Sequence, residues 1–226
     1  MNFNNSNKIY LTKHFSFFEK ILLKKRKEIL LLIKDSIKKL KINDVLDIGS
    51  TEDEINISSN YIIKNLNNFK KYKSISNQKI SLPLFSKTLK KSITDNFTEN
   101  EIKIFQSDLV ISNATIEHVG SFKNQIKMCK NMIRLSKKYF IIITPNRFHP
   151  LEFHTKIPFI HWLPKNLHRK ILKLIKMPFF AKENNLNLLN KNELRLIMSK
   201  LKQKNYKILS INFLLFKSNL ILIGKI

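Results

Sequence analysis

Residues 17–40 read FFEKILLKKRKEILLLIKDSIKKL, with apolar side chains three and four positions apart and lysines between them. That period predicts one amphipathic helix ahead of the first strand. DVLDI at 44–48 is a short apolar run ending at Gly49, which predicts a strand entering a glycine turn. Residues 58–69 predict a helix capped by Ser58 or Ser59, 72–76 a second strand and 89–94 a third. The pattern then sharpens. DLVIS at 108–112 predicts a strand, 121–135 a helix, and YFIIIT at 139–144 an almost wholly apolar strand stopped by Pro145. Residues 146–180 are punctuated by proline and rich in aromatics, the character of a lid, and 191–201 predict a helix. Residues 206–216 and 219–226 predict two strands joined by a Lys217-Ser218 turn, an antiparallel hairpin at the sheet edge.

Strands that alternate with helices, the clearest of them apolar on both faces, predict an α/β fold. It would be a mostly parallel sheet with helices on both faces and a C-terminal antiparallel hairpin. A chain of 226 residues suffices for one such domain with a sizeable core. Residues 1–40 then form an N-terminal helix region, and 41–226 the domain, with a lid-like insertion at about 146–180.

Composition changes this picture little, and charge changes it more. Forty-three per cent apolar residues and 10% aromatics exclude a disordered chain. The net charge of +26 points to attraction toward nucleic acid or an anionic membrane. Only five of the 42 basic residues are arginine, however, and the lysines are spread along the chain beside abundant Ile and Asn. Those three residue types share A/T-rich codons, so compositional drift is a sufficient source of the excess. Cys129 is the sole cysteine, which excludes an internal disulfide and suits a reducing, cytoplasmic setting. No apolar run is long enough to span a bilayer, and MNFNNSNKIY lacks the basic-then-apolar order of a signal peptide.

VLDIGSTEDE (45–54) is the stretch most suggestive of chemistry. In an open α/β sheet a ligand sits beyond the carboxyl end of the first strand, where the turn needs glycine for close approach. Gly49 meets that need once, and the chain has only two others, Gly120 and Gly224. A pyrophosphate cradle is therefore not expected, and Asp53 and Glu54 would repel phosphate. A cationic cofactor suits the loop better.

On VLDIG (45–49), SDLVISNATIEHVG (107–120), YFIIITPN (139–146) and the closing hairpin, the chain resembles the class I S-adenosylmethionine-dependent methyltransferases. The resemblance covers about residues 40–226 and implies their Rossmann-like, seven-stranded sheet. It implies that Asp47 and Gly49 line the methionine end of S-adenosylmethionine, that Asn113 and Ala114 lie near the sulfonium, and that Asp95 contacts adenine. The acid that binds ribose at the end of the second strand has no counterpart; Asn77 or Gln78 stands there. Gly49-x-Thr51-x-Asp53, with 144–164 and NLNLL (185–189), is similar to a branch of small bacterial methyltransferases. There, Thr51 and Asp53 would belong to the cofactor loop.

Methyl transfer from a sulfonium is an in-line displacement, and holding the reactants in line supplies effective molarities of about 10⁵ M or more. A hydroxyl or amine acceptor also calls for a base, and His118, just past the fourth strand, is the candidate. His149, Glu152, His154, His161 and His168 crowd the lid without a compact HxxH spacing, so no metal is expected. Arg147 and His154 read as substrate-facing groups. The aromatic, basic stretch from Phe159 onward reads either as a cover over the site or as an interfacial membrane helix. Asn113-Ala114-Thr115-Ile116 lacks the prolines of amino-directed DNA methyltransferases, which argues against DNA and leaves RNA open. The expectation is a methyltransferase acting on a small or lipid-linked acceptor, a saccharide among them, with peripheral contact at the inner membrane face. The competing class is a non-catalytic module of the same fold that binds RNA or anionic membrane through its basic surface.

Overall fold

The structure, a computed structural model, describes residues 16–53, 56–67 and 69–226. The N-terminal stretch read for a signal, and Glu54, lie outside the described residues. The elements in chain order are α1 (Ser16–Ile37), β1 (Asp44–Ile48), α2 (Tyr61–Asn65), β2 (Lys71–Ser76), β3 (Lys87–Lys90), α3 (Glu99–Phe105) and β4 (Ser107–Asn113). A 3₁₀ turn (Ile116–His118), α4 (Phe122–Leu135), β5 (Ser136–Pro145) and a second 3₁₀ turn (Ile160–Trp162) follow. The chain closes with α5 (Lys165–Leu174), α6 (Lys191–Lys200), β6 (Tyr206–Phe213) and β7 (Phe216–Lys225).

Seven strands lie in the order β3-β2-β1-β4-β5-β7-β6. The first five are parallel, and β7 runs antiparallel to both its neighbours. The strand order reverses between β1 and β4, and the crevice past their carboxyl ends is where such a sheet binds ligands.

Successive residues of the central strands face opposite layers, as the two-residue strand period requires. Val45, Leu109, Ile111, Ile141 and Ile143 pack with Ile29, Ile33 and Ile37 of α1. Leu46, Val110, Phe140 and Ile142 pack with Met128 and Met132 of α4 and Leu194 and Ile197 of α6. Covering both faces explains why these strands read as continuous apolar runs. Phe140 stands against Gly224 on β7, where an added Cβ would lie 2.1 Å from its ring, so glycine is required there. Cys129 is fully buried in the α4 layer, and burial pushes its thiol up to about 12, consistent with packing.

Three elements depart from the sequence pattern. The helix expected at 58–69 is reduced to Tyr61–Asn65, because Asp53 and Thr51 hold Asn56, Ser59 and Asn60 in the preceding loop. Helix α3 was not expected; its signature is a capping box in which Thr98 and Glu101 satisfy each other's backbone N–H groups. The hairpin turns at Leu214-Leu215, not at Lys217-Ser218, which lie within β7 and pair back toward Asn212 and Ile211. Leu214 and Leu215 both have left-handed φ, +49° and +68°, the geometry a two-residue hairpin loop demands.

Candidate functional site

Asp47 closes β1 with its side chain 7% exposed and accepts a hydrogen bond from Ser50 Oγ, which in turn accepts from Ser74 Oγ at 2.9 Å. Burial raises its carboxyl to about 6, partly offset by the Ser50 hydroxyl. Among the described residues no cation reaches it. Gly49 has φ +92°, a conformation that favours glycine, and its open face lies against the Thr115 side chain. The loop is anchored to β2: Gly49 N–H donates to Ile75 O at 2.9 Å, and Ser76 Oγ to Ser50 O at 2.8 Å. Thr51 is clamped at both backbone groups by the Asn60 amide, at 3.1 and 2.7 Å.

Of the acids expected in this loop, Asp53 is turned inward and Glu52 is exposed. Asp53 is buried, accepting from Asn56 N–H and Nδ2 and from Ser59 Oγ, with the Arg26 guanidinium of α1 close by. Burial lowers Arg26 to about 10 against the attraction of Asp53 and Glu19. The Asp53 carboxylate is therefore held by donors of its own loop. That leaves Asp47 as the buried carboxylate of this loop without a cation.

Asn113 and Ala114 leave β4 directly beside Gly49. Ala114 has φ +53° and its N–H donates to Ile143 O at 2.9 Å, while Thr115 Oγ1 donates back to Ile48 O at 3.2 Å. Asp95 lies on the loop after β3. Its carboxylate accepts from Ser92 N–H and its carbonyl from Asn131 Nδ2, midway along α4.

Past Thr115, the 3₁₀ turn aims Glu117 inward and His118 toward the cleft. Glu117 is fully buried; Oε2 accepts from Thr144 Oγ1 at 3.0 Å, while Oε1 has no hydrogen-bond partner. Burial raises its carboxyl, against the pull of the His154 charge. His118 Nδ1 donates to Asn185 O at 2.7 Å. Burial, then the neighbouring His154, pushes His118 down to about 3, which favours the neutral imidazole. His154 stacks edge-on against it, ring centroids 4.9 Å apart, and its Nδ1 lies 2.5 Å from Glu152 Oε1. Burial works against both charges of that pair, but their attraction outweighs it, raising His154 and holding Glu152 down to about 2.

Sequence reasoning missed Glu117 and Glu152 as members of this cluster, although IEH and LEFH place each acid close to a histidine it serves. Arg147 is not with them. Its guanidinium donates to the carbonyls of His161 at 3.1 Å and Leu163 at 2.8 Å, fastening the lid to itself. His149 joins the lid to the end of β6 through Phe213 O. A surface hollow of about 360 Å³, lined by Lys191, Arg195, Lys204, Tyr206 and Ile208, contains none of these residues.

No protein-family model matches the chain, and no curated protein matches it in sequence. Solved structures do match it. The chain is similar to magnesium protoporphyrin IX methyltransferase (ChlM) from Synechocystis with bound SAH, with a TM-score of 0.54 and 12% identity over 99% of this chain and 93% of that one. It is similar to 1,6-didemethyltoxoflavin-N1-methyltransferase from Burkholderia thailandensis, with bound 1,6-didemethyltoxoflavin and S-adenosylhomocysteine. There the TM-score is 0.54 at 8% identity, over 88% and 77% of the two chains. A SAM-dependent methyltransferase from Archaeoglobus fulgidus gives 0.52 at 13% identity, over 94% and 100%. The fold is the Rossmann-like fold of S-adenosylmethionine-dependent methyltransferases.

Proposed function

We propose that the protein is an S-adenosylmethionine-dependent methyltransferase acting on a small acceptor. The observation that carries this is Asp47, a buried carboxylate with one hydroxyl donor and no cation among the described residues, next to a left-handed glycine at the switch point. A buried carboxylate in that condition is costly, and the ammonium of the cofactor's methionine moiety would relieve it. Gly49 and the Thr51–Asn60 clamp would shape the loop around that moiety, and Asn113 and Ala114 would flank the sulfonium. Similar folds with bound SAM or SAH support the same reading.

The cofactor supplies an activated methyl group. This chain would hold the acceptor nucleophile in line with it, so that the C–S pair returns to sulfur as the new bond forms and the acceptor proton leaves. Positioning of that kind supplies most of the rate without a covalent enzyme intermediate. No strong acid for the ribose hydroxyls stands at the end of β2, where Ser76 binds the loop backbone instead.

Calorimetric titration with S-adenosylhomocysteine tests this. The expected result is 1:1 binding, weakened tenfold or more by Asp47→Ala, the loss of a charge-assisted hydrogen bond worth about 1.5–3 kcal/mol. No heat and no thermal shift at saturating ligand would overturn it.

We further propose that the acceptor is met at an anionic membrane surface, as a lipid-linked substrate. Leu214, Leu215 and Phe216 protrude at the hairpin tip, 68%, 97% and 48% exposed. Exposed Phe148, Phe159 and Trp162 are tied to the same region through His149, which contacts Phe213 O and accepts from Trp162 at its carbonyl. Lys217, exposed on the strand leaving the turn, flanks the tip. Exposed apolar groups rimmed by cations suit an interfacial contact. No described helix is long and apolar enough to cross a membrane.

A further inference from the structure

The lid and the 3₁₀ turn after β4 bring Glu117, His118 and His154 together, one donor atom from each lying within 4.8 Å of the others. Their far ends are all held. Glu117 Oε2 accepts from Thr144 Oγ1 at 3.0 Å, His118 Nδ1 donates to Asn185 O at 2.7 Å, and His154 Nδ1 pairs with Glu152 Oε1 at 2.5 Å. A carbonyl oxygen can only accept, so the His118 proton sits on Nδ1 and the Nε2 lone pair faces the cluster. Histidines that ligate metals are oriented in this way, with the second ring nitrogen donating to a carbonyl or a carboxylate.

The remaining atom of the set points to a ligand. Glu117 Oε1 belongs to a side chain that is 0% exposed, and among the described residues it has no hydrogen-bond partner. It lies 4.0 Å from His118 Nε2, too far for a hydrogen bond and close enough to share an ion. Leaving a carboxylate oxygen buried and unmatched is unfavourable, and more so when it is ionised. Both imidazoles keep about a fifth of their side-chain surface exposed, so the cluster opens toward the cleft.

We propose that Glu117, His118 and His154 bind one divalent transition-metal ion through Oε1 and two Nε2 atoms, with further coordination positions facing the cleft. Donor–metal distances of about 2.0–2.2 Å require the three donors to draw in to roughly 3–3.5 Å of one another. The 4.0 Å gap between Glu117 Oε1 and His118 Nε2 and the reach to the lid-borne His154 both close by about an ångström. Two imidazoles and one carboxylate favour zinc, iron, cobalt or manganese over calcium or magnesium. On the methyl-transfer reading, on which this step rests, an open position would take an oxygen of the acceptor beside Asn113 and Ala114. That favours a hydroxyl or diol acceptor whose proton the ion makes easier to lose.

The test uses the tag-free full chain, stripped with chelator and titrated with Co²⁺ followed by its visible absorption, and with Zn²⁺ followed by calorimetry. One equivalent should bind, with a rise in Tm. Glu117→Gln, His118→Ala and His154→Ala should each weaken binding about 100-fold or more, since losing even an outer-shell partner costs 10–100-fold. His168→Ala, outside the cluster, should leave it unchanged. Circular dichroism establishes that each variant is folded, and Glu117→Gln conserves volume. A folded wild-type chain that gives neither band nor heat would overturn the proposal, as would affinity unchanged in His154→Ala. Titrating S-adenosylhomocysteine into the same samples keeps the two readings separate. Metal binding without cofactor binding would sink only the methyl-transfer reading, and the reverse would sink only the metal site.

Discussion

Asp47 concentrates the account at the scale of one residue. Its carboxyl, raised to about 6 by burial, is part-protonated in the free protein near neutral pH and must ionise to hold an ammonium. Cofactor affinity should therefore be full above pH 6 and fall below it, about tenfold by pH 5, with proton release on binding. The sign for stability is opposite. A carboxyl raised from 3.8 to about 6 favours folding while protonated, and that advantage is lost as pH rises from 3.8 through 6. Asp47→Asn should be no more stable than wild type at pH 4, yet more stable at pH 8 by up to about 3 kcal/mol. Urea unfolding at the two pH values checks this; an equal offset at both would mean that Asp47 is not the titrating group.

The placing of Asp47, Gly49, Asn113 and Ala114 at the ends of β1 and β4 could be read from the sequence, because each closes or follows a plainly apolar run. Glu117 and His154 could not be joined that way. They are separated by α4, β5 and part of a lid whose path follows no period, and only the fold brings them within one ion's reach.

At the scale of elements, β1, β4, β5 and α4 match their hydrophobic periods, since burial on both faces leaves the strand pattern no ambiguity. Besides the shortened helix α2 and the unexpected α3, the last turn was misread. Two leucines in left-handed conformation run against both propensity and pattern, and such residues cost about 1–3 kcal/mol each. A stretch free to optimise stability would place Asn-Gly there. Replacing Leu214-Leu215 with Asn-Gly should raise stability by about 1–2 kcal/mol by relieving that strain. The same variant should lose binding to anionic liposomes at low salt. Undiminished liposome binding would remove the tip from the membrane contact, and lowered stability would contradict the strain argument.

For the whole molecule, the order β3-β2-β1-β4-β5-β7-β6 places the first and fourth strands side by side with their ends open to one crevice. Helix α1 extends this arrangement, since Arg26 is attracted to Asp53 of the loop and its isoleucines fill one face of the sheet. The lid lies across the other end of the site through His154 and is fastened by Arg147 and His149. The net charge of +26 is spread over this frame and serves, on the present reading, surface affinity more than the site itself.

The central claim is that the crevice at the ends of β1 and β4 holds the cofactor. Hydrogen–deuterium exchange of the full chain, with and without saturating S-adenosylhomocysteine, tests it most directly. Slowed exchange is expected at residues 47–53 and 113–118 and not elsewhere. Binding that protects another face, such as the basic hollow beside α6, or that leaves both segments unchanged, would contradict it.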